Sequence, residues 1–324
     1  MLKKKEAIHL LNKLGKQNIP FNFYCDFLGE EWCIEEASSK IEGSFKLSIS
    51  SKIVNSHQLS VVSKEPQFRK RPIPFGEFNA AFDQVVHQIN IGNSFLTNLT
   101  FRTPITTNLS LDEIFIRSSA RYKLLVPDQF VVFSPETFIK IKGNHIHSYP
   151  MKGTIDASIP EAEAIILNDE KETAEHITIV DLIRNDLSQV AGNVSVEKFR
   201  YIDKIQTSDK DLLQVSSEVK GELSSDWRSN LGSIITRLLP AGSISGAPKV
   251  ETIKIIQEAE DYDRGCYTGV CGHFDGESLD SGVMIRFIQQ ENGQLHYCSG
   301  GGITSFSDAE KEYREMIDKV YLPL

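Results

Sequence analysis

The sequence lacks a long hydrophobic run, an excess of positive charge and any ordered pattern of cysteines. No segment of the 324 residues approaches the run of about 18 apolar residues that spans a membrane, so we expect no transmembrane helix. The formal net charge of −9 argues against nucleic acid or an anionic membrane surface as the main partner. The five cysteines are scattered and odd in number, and no apolar leader follows the basic N-terminus. We therefore expect a cytoplasmic protein in a reducing environment.

The order of helical and strand-like segments favours an α+β fold over a doubly wound parallel sheet, because the two kinds do not alternate strictly. Apolar residues make up 40% of the chain, which is enough for a substantial core. A proline-rich break at 71–74 separates a short N-terminal segment, 1–75, from residues 76–324, and we expect the segment to pack on the same domain. Periodicity predicts helices over residues 2–14, 78–89, 170–191, 247–259 and 308–320, and strands over 21–24, 45–49, 129–133, 138–142, 282–288 and 294–298.

Two pairs of glutamates have the spacing that places both carboxylates on one face of a helix. Glu172 and Glu175 lie in the first half of one predicted helix, and Glu312 and Glu315 lie in the first half of another. If the two helices converge, the four carboxylates would suit a hard cation such as Mg²⁺. The alternative is that both pairs are solvent-exposed helix faces, because that is the usual location of glutamate.

Two glycine-rich segments precede predicted helices. Residues 240–249 (PAGSISGAPK) open one helix, and the glycines 300–302 shortly precede a capping box at 307–310 (SDAE). Backbone N–H groups at a helix N-terminus bind carboxylate or phosphate, and glycine allows a ligand to approach closely. Together with the glutamate pairs, these segments predict a carboxylate-bearing substrate bridged by a metal ion. Ordinary turn glycines are the alternative.

A predicted β-hairpin brings an acid and an amine together. Residues 138–142 and 145–149 alternate with period two around a Gly-Asn turn. Extending the ladder outward places Glu136 beside Lys152, at the point where prolines end the pairing. An acid and an amine in a cleft can serve as general acid and as base or nucleophile, whereas the alternative is a simple exposed ion pair.

Cys271 is the candidate for an unrelated chemistry. It lies in Gly-Val-Cys-Gly-His, a weak match to the nucleophile elbow of hydrolases, which makes a cysteine hydrolase the alternative from another enzyme class. The sequence that follows does not provide the required strand, turn and helix. We therefore expect a buried structural thiol at this position.

Five sequence blocks together resemble the chorismate-utilising enzymes, a family that includes anthranilate synthase component I, aminodeoxychorismate synthase component I, and the isochorismate and salicylate synthases. The similarity extends from about residue 76 to the C-terminus, and the joint occurrence of the blocks outweighs the simpler interpretation of each motif alone. The blocks are GNSFLTNLT (92–100), SPET with YPMKGT (134–154), ETAEHITIVDLIRNDLSQVAG (172–192), PAGSISGAPK with YTGVCGHFDGES and GVMIR (240–286), and SGGGITSFSDAEKEYREMIDKV (299–320).

The resemblance implies a single large domain of two stacked antiparallel sheets flanked by helices, with the active site between the sheets. It implies a Mg²⁺ ion that takes the ring carboxylate of chorismate and is held by Glu172, Glu175, Glu312 and Glu315. It also implies that Glu136 protonates the departing C4 hydroxyl. The implied substrate pocket consists of Thr154, Gln214, Ser243, Gly246, Ala247, Lys249, Tyr267, Arg286, Gly300, Gly301 and Gly302.

Lys152, in the motif P-x-K-G-T, resembles the aminodeoxychorismate synthases, since anthranilate synthases generally carry alanine there. The resemblance implies that its amine, kept neutral by a lowered pKa near Mg²⁺, attacks C2 of chorismate while the C4 hydroxyl leaves. Ammonia then adds at C4. The isochorismate and salicylate synthases use a lysine to activate water where this chain has Leu96, and Gln214 stands where relatives have His. Anthranilate synthase and the hydroxylating synthases remain the alternatives.

The chain has no room for a glutaminase domain besides the chorismate-binding one. We therefore expect ammonia to come from solution or from a separate glutamine amidotransferase subunit. The expected function is the Mg²⁺-dependent amination of chorismate to 4-amino-4-deoxychorismate, which feeds the para-aminobenzoate branch of folate synthesis.

Overall fold

Two antiparallel sheets stack face to face and carry the helices on their outer faces. The computed structural model describes residues 1–37, 43–50, 52–53, 65–206 and 211–324. Between the sheets, Tyr24 and Cys271 of one sheet pack against Tyr122, Phe130 and Phe287 of the other. The expected α+β fold with two stacked antiparallel sheets in one domain is confirmed. Among the described residues, no helix is long and apolar enough to cross a membrane.

The first sheet joins the N-terminal segment to the C-terminal half of the chain. Its strands are β1 (Leu2–Lys3), β2 (Phe21–Cys25), β3 (Glu31–Glu36), β10 (Thr137–Lys142), β11 (His145–Ser148), β12 (Met151–Asp156), β13 (Gly192–Gln206), β14 (Asp211–Glu222), β16 (Val270–Phe274) and β17 (Leu279–Val283). Their order is β1-β3-β2-β16-β17-β10-β11-β14-β12, and β13 also pairs with β14. Because β2 pairs with β16, the first 25 residues help to build the same sheet as the later motifs.

The second sheet contains the glycine-rich strand. Its strands are β4 (Lys46–Ile49), β5 (Lys52–Ile53), β6 (Phe68–Lys70), β7 (Leu96–Thr107), β8 (Tyr122–Val126), β9 (Phe130–Ser134), β15 (Gly246–Ala247), β18 (Phe287–Glu291) and β19 (Gln294–Ile303). Their order is β15-β7-β19-β18-β9-β8-β4-β5, with β6 also on β7. Residues 300–302 lie inside β19, opposite 98–100 of β7. The expectation that these glycines form a helix entry is therefore wrong.

Eight helices occur among the described residues, and the predicted helices are confirmed to within a few residues. On α2, Phe78, Phe82, Val85 and Ile89 form the buried stripe that the sequence indicates. The helices are α1 (Lys4–Lys16), α2 (Phe75–Asn90), α3 (Leu111–Arg117), α4 (Ala162–Asn168), α5 (Glu170–Ser188), α6 (Leu231–Arg237), α7 (Lys249–Ala259) and α8 (Ala309–Asp318).

The start of α8 differs by one residue from the predicted capping box. Asp308, and not Ser307, is the N-cap, because its side chain accepts the backbone N–H of Lys311 at 3.0 Å. The Ser307 hydroxyl instead donates to Glu312 at 2.8 Å. The first turn of α8 thus holds one of the predicted metal-binding carboxylates in place.

The β10–β11 hairpin has the predicted register near its turn, with Lys140 opposite His147 and residue 142 opposite 145. The predicted extension of this ladder to Glu136 and Lys152 is wrong. Beyond Pro150 the chain continues along β14 in the register of β11, with Met151 opposite Ser216, and it is not paired with β10, which begins at Thr137. Glu136 and Lys152 therefore acquire separate partners.

The predicted strand over 282–288 is two strands in different sheets. β17 ends at Val283 in the first sheet and β18 begins at Phe287 in the second. Between them the chain crosses from sheet to sheet, and Arg286 adopts a positive φ of 52°. A continuous apolar pattern cannot distinguish such a crossing from a single strand, because both are buried.

Candidate active site

Helices α5 and α8 carry the two glutamate pairs. The Asp169 side chain caps α5 by accepting the backbone N–H of Glu172 at 2.8 Å, which places Glu172 and Glu175 in the first two turns. On α8, Glu312 follows the Asp308 cap by one turn. Glu175 and Glu312 are buried. A buried carboxylate requires a compensating charge, so these pairs are not simple solvent-exposed faces.

The Lys152 ammonium lies within the field of both pairs. Its Nζ is 2.6 Å from Glu175 Oε2. Burial lowers the pKa of Lys152, but the carboxylate of Glu175, together with the more distant Glu172 and Glu315, outweighs burial and raises the pKa above its usual value. Carboxylates of α5 and α8 thus act on one primary amine. These carboxylates favour the charged form of Lys152, and the lowered pKa expected beside Mg²⁺ stays a prediction.

A second lysine, Lys319 at the end of α8, completes this cluster. Its Nζ lies 2.7 Å from Glu315 Oε1 and donates to the Gly300 carbonyl at 2.8 Å. A Cβ atom on Gly301 would lie only 3.5 Å from Glu312 Oε2, so the glycine strand lies directly against the acidic face of α8. Sequence reasoning missed Lys319, although its position four residues after Glu315 places both on one helix face.

The site fits a divalent cation in the chemistry of its donors. Four carboxylates from two helices form an all-oxygen set of the kind that Mg²⁺ prefers, and the Lys152 ammonium already supplies a positive charge among them. Within the part of the chain that the structure describes, no three His, Cys, Asp or Glu side chains form a preformed metal cage. Mg²⁺ binding by these four residues therefore stays a prediction.

Glu136, just before β10, forms the second polar centre of the site. Its carboxylate accepts a short hydrogen bond from the Ser243 hydroxyl. Burial raises the pKa of Glu136, and Ser243, Arg286 and Lys319 partly offset the shift. A carboxyl group with a raised pKa can hold a proton near neutral pH and donate it.

Lys249 is held by protein groups on the far side of the Ser243 loop. Its Nζ lies 2.8 Å from Asp186 Oδ2 and donates to the Leu238 carbonyl at 3.1 Å. Both side chains of this ion pair are largely buried, with 17% of Lys249 and 8% of Asp186 exposed. These two bonds use two of the three N–H donors of Lys249, and the role expected for it, binding a substrate carboxylate, stays a prediction.

Of the remaining predicted pocket residues, Tyr267 and Arg286 lie in connecting segments, and Thr154 and Gln214 lie on strands. Arg286 places its guanidinium 5.3 Å from the centre of the Tyr321 ring, and Tyr267 is buried beside the ring of Phe287. Burial raises the pKa of the Tyr267 hydroxyl, which keeps it a hydrogen-bond donor. Thr154 and Gln214 are neighbours across β12 and β14, and Thr154 is exposed.

Leu96 forms an apolar wall beside the glycine strand. A Cβ atom on Gly302 would lie 3.0 Å from Leu96 Cδ1, and one on Gly246 would lie 1.9 Å from the Leu96 carbonyl oxygen. Gly246 and Ala247 form β15, which pairs with Thr97 and Leu96 of β7. The close packing of these backbones explains the glycine at 246, whose φ is 143°.

Cys271 lies in the core and away from solvent. It is 0% exposed, and burial raises the pKa of its thiol to about 12. A thiol in this environment does not form the thiolate that a cysteine hydrolase requires. The expected structural role of this residue is confirmed.

Comparison with known proteins gives one consistent family. The family model described as chorismate binding enzyme matches residues 16–324. The chain is 48% identical over 320 residues to an uncharacterized PabA-like protein of Haemophilus influenzae, covering 98% of this chain and 96% of that protein. It is 34% identical over 266 residues to aminodeoxychorismate synthase component 1 of Bacillus subtilis, covering 76% of this chain and 55% of that enzyme.

A solved structure agrees with the sequence matches. The crystal structure of anthranilate synthase component I from Streptococcus pneumoniae superposes with a TM-score of 0.66 at 26% identity, covering 80% of this chain and 60% of that one. The chain thus spans little more than half the length of these two synthase components. An aminodeoxychorismate synthase component and an anthranilate synthase component are therefore both similar to this chain, at 34% and 26% identity.

Proposed function

Because the chain belongs to the chorismate-binding enzyme family, we propose that it aminates chorismate at C4 to give 4-amino-4-deoxychorismate. Family membership supports chorismate as the substrate, and the choice among reactions rests on the site. The proposal includes ammonia delivery by a separate glutamine amidotransferase subunit, and a place in para-aminobenzoate and folate synthesis.

The observation that carries the proposal is the position of Lys152. Its primary amine lies 2.6 Å from Glu175, within the field of carboxylates from both α5 and α8. An amine at this point can form a covalent bond to a substrate whose carboxylate is held beside it. Neither anthranilate formation nor hydroxylation requires a covalent lysine at this position.

The proposed first step forms a bond between Lys152 Nζ and C2 of chorismate. The amine first leaves Glu175 and loses its proton, because only the neutral amine is nucleophilic. As the C2–N bond forms, both ring double bonds shift by one position and the C4–O bond breaks. Glu136 donates the proton with which the C4 hydroxyl departs as water, and the lysine nitrogen releases one proton.

The proposed second step restores the enzyme. Ammonia bonds to C4, the double bonds return, and the C2–N bond to Lys152 breaks. The incoming nitrogen gives up one proton, the departing lysine takes one up, and Glu136 regains the proton that it donated in the first step. Chorismate and ammonia are thus consumed, and 4-amino-4-deoxychorismate and water are formed.

The four glutamates on α5 and α8 would hold Mg²⁺, which when bound supplies positive charge for the ring carboxylate of chorismate. The other carboxylate of the substrate would be received by Arg286, Tyr267 and the backbone of the glycine strand. Lys152 and Lys319 balance part of the acidic charge through their pairs with Glu175 and Glu315.

Leu96 supports amination over hydroxylation. Its side chain is apolar and packs against the glycine strand, so it cannot accept a proton from water. Gln214 can hydrogen-bond a substrate but cannot transfer a proton near neutral pH. The proton transfers of the proposed reaction therefore fall to Glu136 and Lys152.

Product identification tests the proposal. We would incubate the pure protein with chorismate, MgCl₂ and ammonium, and analyse products by mass spectrometry with and without an aminodeoxychorismate lyase. The expected product is converted to 4-aminobenzoate only when the lyase is present. Fluorescent anthranilate formed without the lyase, isochorismate formed from water, or Mg²⁺ binding with no chorismate turnover would each contradict the proposal.

A further inference from the structure

Residues 239–248 form the loop that carries Ser243. The buried ion pair between Lys249 and Asp186 links this loop to α5, and the proposed reaction does not use that pair. We propose that Asp186, acting through Lys249, is a positioning residue that holds Ser243 against Glu136. The inference rests on the proposed function, because it concerns the acid of that reaction.

The ion pair connects both ends of the loop to one helix. Lys249 is the first residue of α7, and its Nζ bonds both Asp186 Oδ2 at 2.8 Å and the carbonyl of Leu238 at 3.1 Å. Leu238 and Lys249 flank the loop, and Asp186 belongs to α5. Because breaking one side of a buried pair leaves an uncompensated charge, the loop is strongly constrained at this point.

The Asp186 carboxylate also packs against the loop itself. A Cβ atom on Gly242 would lie 2.9 Å from Asp186 Oδ2, so the carboxylate directly contacts the residue before Ser243. Glu136, Asp186, Gly242 and Ser243 all line one small cavity. A shift of Asp186 is therefore transmitted to Ser243 over a single peptide unit.

The position of Ser243 controls the proton of Glu136. Burial raises the pKa of Glu136, whereas the Ser243 hydrogen bond and the cations Arg286 and Lys319 lower it. Asp186 and Tyr149 face the same cavity. If Ser243 moves away, the pKa of Glu136 rises further, so that the acid stays protonated to higher pH.

The first test is the Asp186→Asn variant, with chorismate consumption as the assay. We expect kcat to fall about tenfold while KM for chorismate changes less than about twofold, since one hydrogen bond to the acid is lost. The basic limb of the kcat–pH profile should move to higher pH, an effect that a general loss of packing would not produce. Asp181→Asn, which removes an exposed partner of Arg184 on the same helix, is the matched control and should leave kcat and the profile unchanged.

Two further variants test the path from Asp186 to Glu136. Gly242→Ala should reproduce the effect of Asp186→Asn, because its new Cβ displaces the carboxylate. If Asp186→Asn fails to fold, Gly242→Ala provides the same test. Ser243→Ala should shift the profile in the same direction, and Asp186→Asn combined with Ser243→Ala should be no worse than the more impaired of the two single variants.

The outcomes separate this inference from the proposed function. If the wild-type enzyme consumes chorismate but Asp186→Asn and Gly242→Ala keep its kcat and profile, the inference is overturned and the proposed function stands. Effects of Asp186→Asn and Ser243→Ala that multiply in the double variant would also overturn it, because the residues would act independently. Absence of chorismate turnover by the wild-type enzyme would overturn both.

Discussion

At the scale of single residues, Lys152 has to change from a charged ammonium to a neutral amine in the proposed reaction. The ammonium is paired with Glu175, which favours the charged form. The proposed nucleophile is the neutral amine. The proposed reaction therefore requires another positive charge to balance the Glu175 carboxylate when Lys152 loses its proton.

The Lys152→Ala variant tests the covalent role of the amine. We expect C4 amination to fall at least about a thousandfold, because no other side chain replaces a covalent nucleophile. Binding of chorismate and Mg²⁺, measured by calorimetry, should remain largely intact. Lys140→Ala is the matched control, since Lys140 has a similar exposure and is paired with Asp280 at 2.8 Å in the same sheet. Amination by Lys152→Ala at the wild-type rate would refute the covalent route.

The Glu175→Gln variant tests the metal assignment. Removing one carboxylate charge should weaken Mg²⁺-dependent chorismate binding by about 1.4 kcal/mol or more, which is about tenfold in affinity. Glu170→Gln, at the exposed start of the same helix, serves as control. Equal affinities for the wild type and Glu175→Gln would show that this carboxylate does not contribute to the metal site.

Residue spacing predicted the two glutamate pairs, because i and i+3 on a helix share a face whatever the rest of the chain does. The partners of Lys249 and Lys152 could not be predicted in the same way. Each lysine pairs with a carboxylate far away in sequence, on α5, and such a contact depends on how the elements pack. The contact of Lys319 with Glu315 could have been predicted from spacing, because residues i and i+4 on a helix also share a face.

At the scale of elements, glycines act through close packing as well as through turns. The sequence predicts that the first helix ends at residue 14, yet α1 continues to Lys16 and Gly15 lies inside it. A Cβ atom on Gly15 would lie 2.2 Å from the Arg228 carbonyl oxygen, and one on Gly232 would lie 2.7 Å from that of Ile8. The absence of a Cβ atom at Gly15 and Gly232 thus allows α1 to lie close to α6 and to the turn that contains Arg228. Helix α6 in turn precedes the Ser243 loop in the chain.

The Gly232→Ala variant tests this close approach. Despite the better helix propensity of alanine, we expect the free energy of unfolding to fall by about 1–3 kcal/mol, because the new Cβ overlaps the backbone of α1. Denaturant unfolding measures the difference. Gly76→Ala on α2, where a Cβ would meet nothing within 4 Å, should be neutral or slightly stabilising. Equal destabilisation by both substitutions would contradict the packing explanation.

Elements were easiest to predict where one face of a helix or hairpin is buried. The stripe on α2 and the turn-proximal register of the β10–β11 hairpin follow from local periodicity alone. The crossing at 284–286 and the pairing of β12 with β14 were missed. Both depend on which distant strand the next strand pairs with, and local periodicity does not specify a long-range partner.

At the scale of the whole molecule, the resemblance implied the two stacked sheets, whereas composition and charge limited only the classes of partner. The strand order could not be derived from local pattern, because neighbours such as β2 and β16 are separated by more than 240 residues. The site lies between α5, which packs on the first sheet, and α8, which packs on the second.

At the same scale, the proposal that a separate amidotransferase subunit hydrolyses glutamine while this chain aminates chorismate gives a prediction. The pure chain should use ammonium but not glutamine, because no glutamine-hydrolysing centre is part of the proposed site. Adding a glutamine amidotransferase subunit should establish glutamine-dependent amination in a chorismate consumption assay. Glutamine-dependent turnover by the pure chain would contradict this proposal.

Locating the incoming nitrogen on the product is the most direct test of the central claim. We would supply ¹⁵N-ammonium with chorismate and MgCl₂ and record heteronuclear NMR spectra of the product. The account predicts ¹⁵N bonded to C4 of a ring that keeps its enolpyruvyl group. Label at C2, or a product without ¹⁵N, would contradict it.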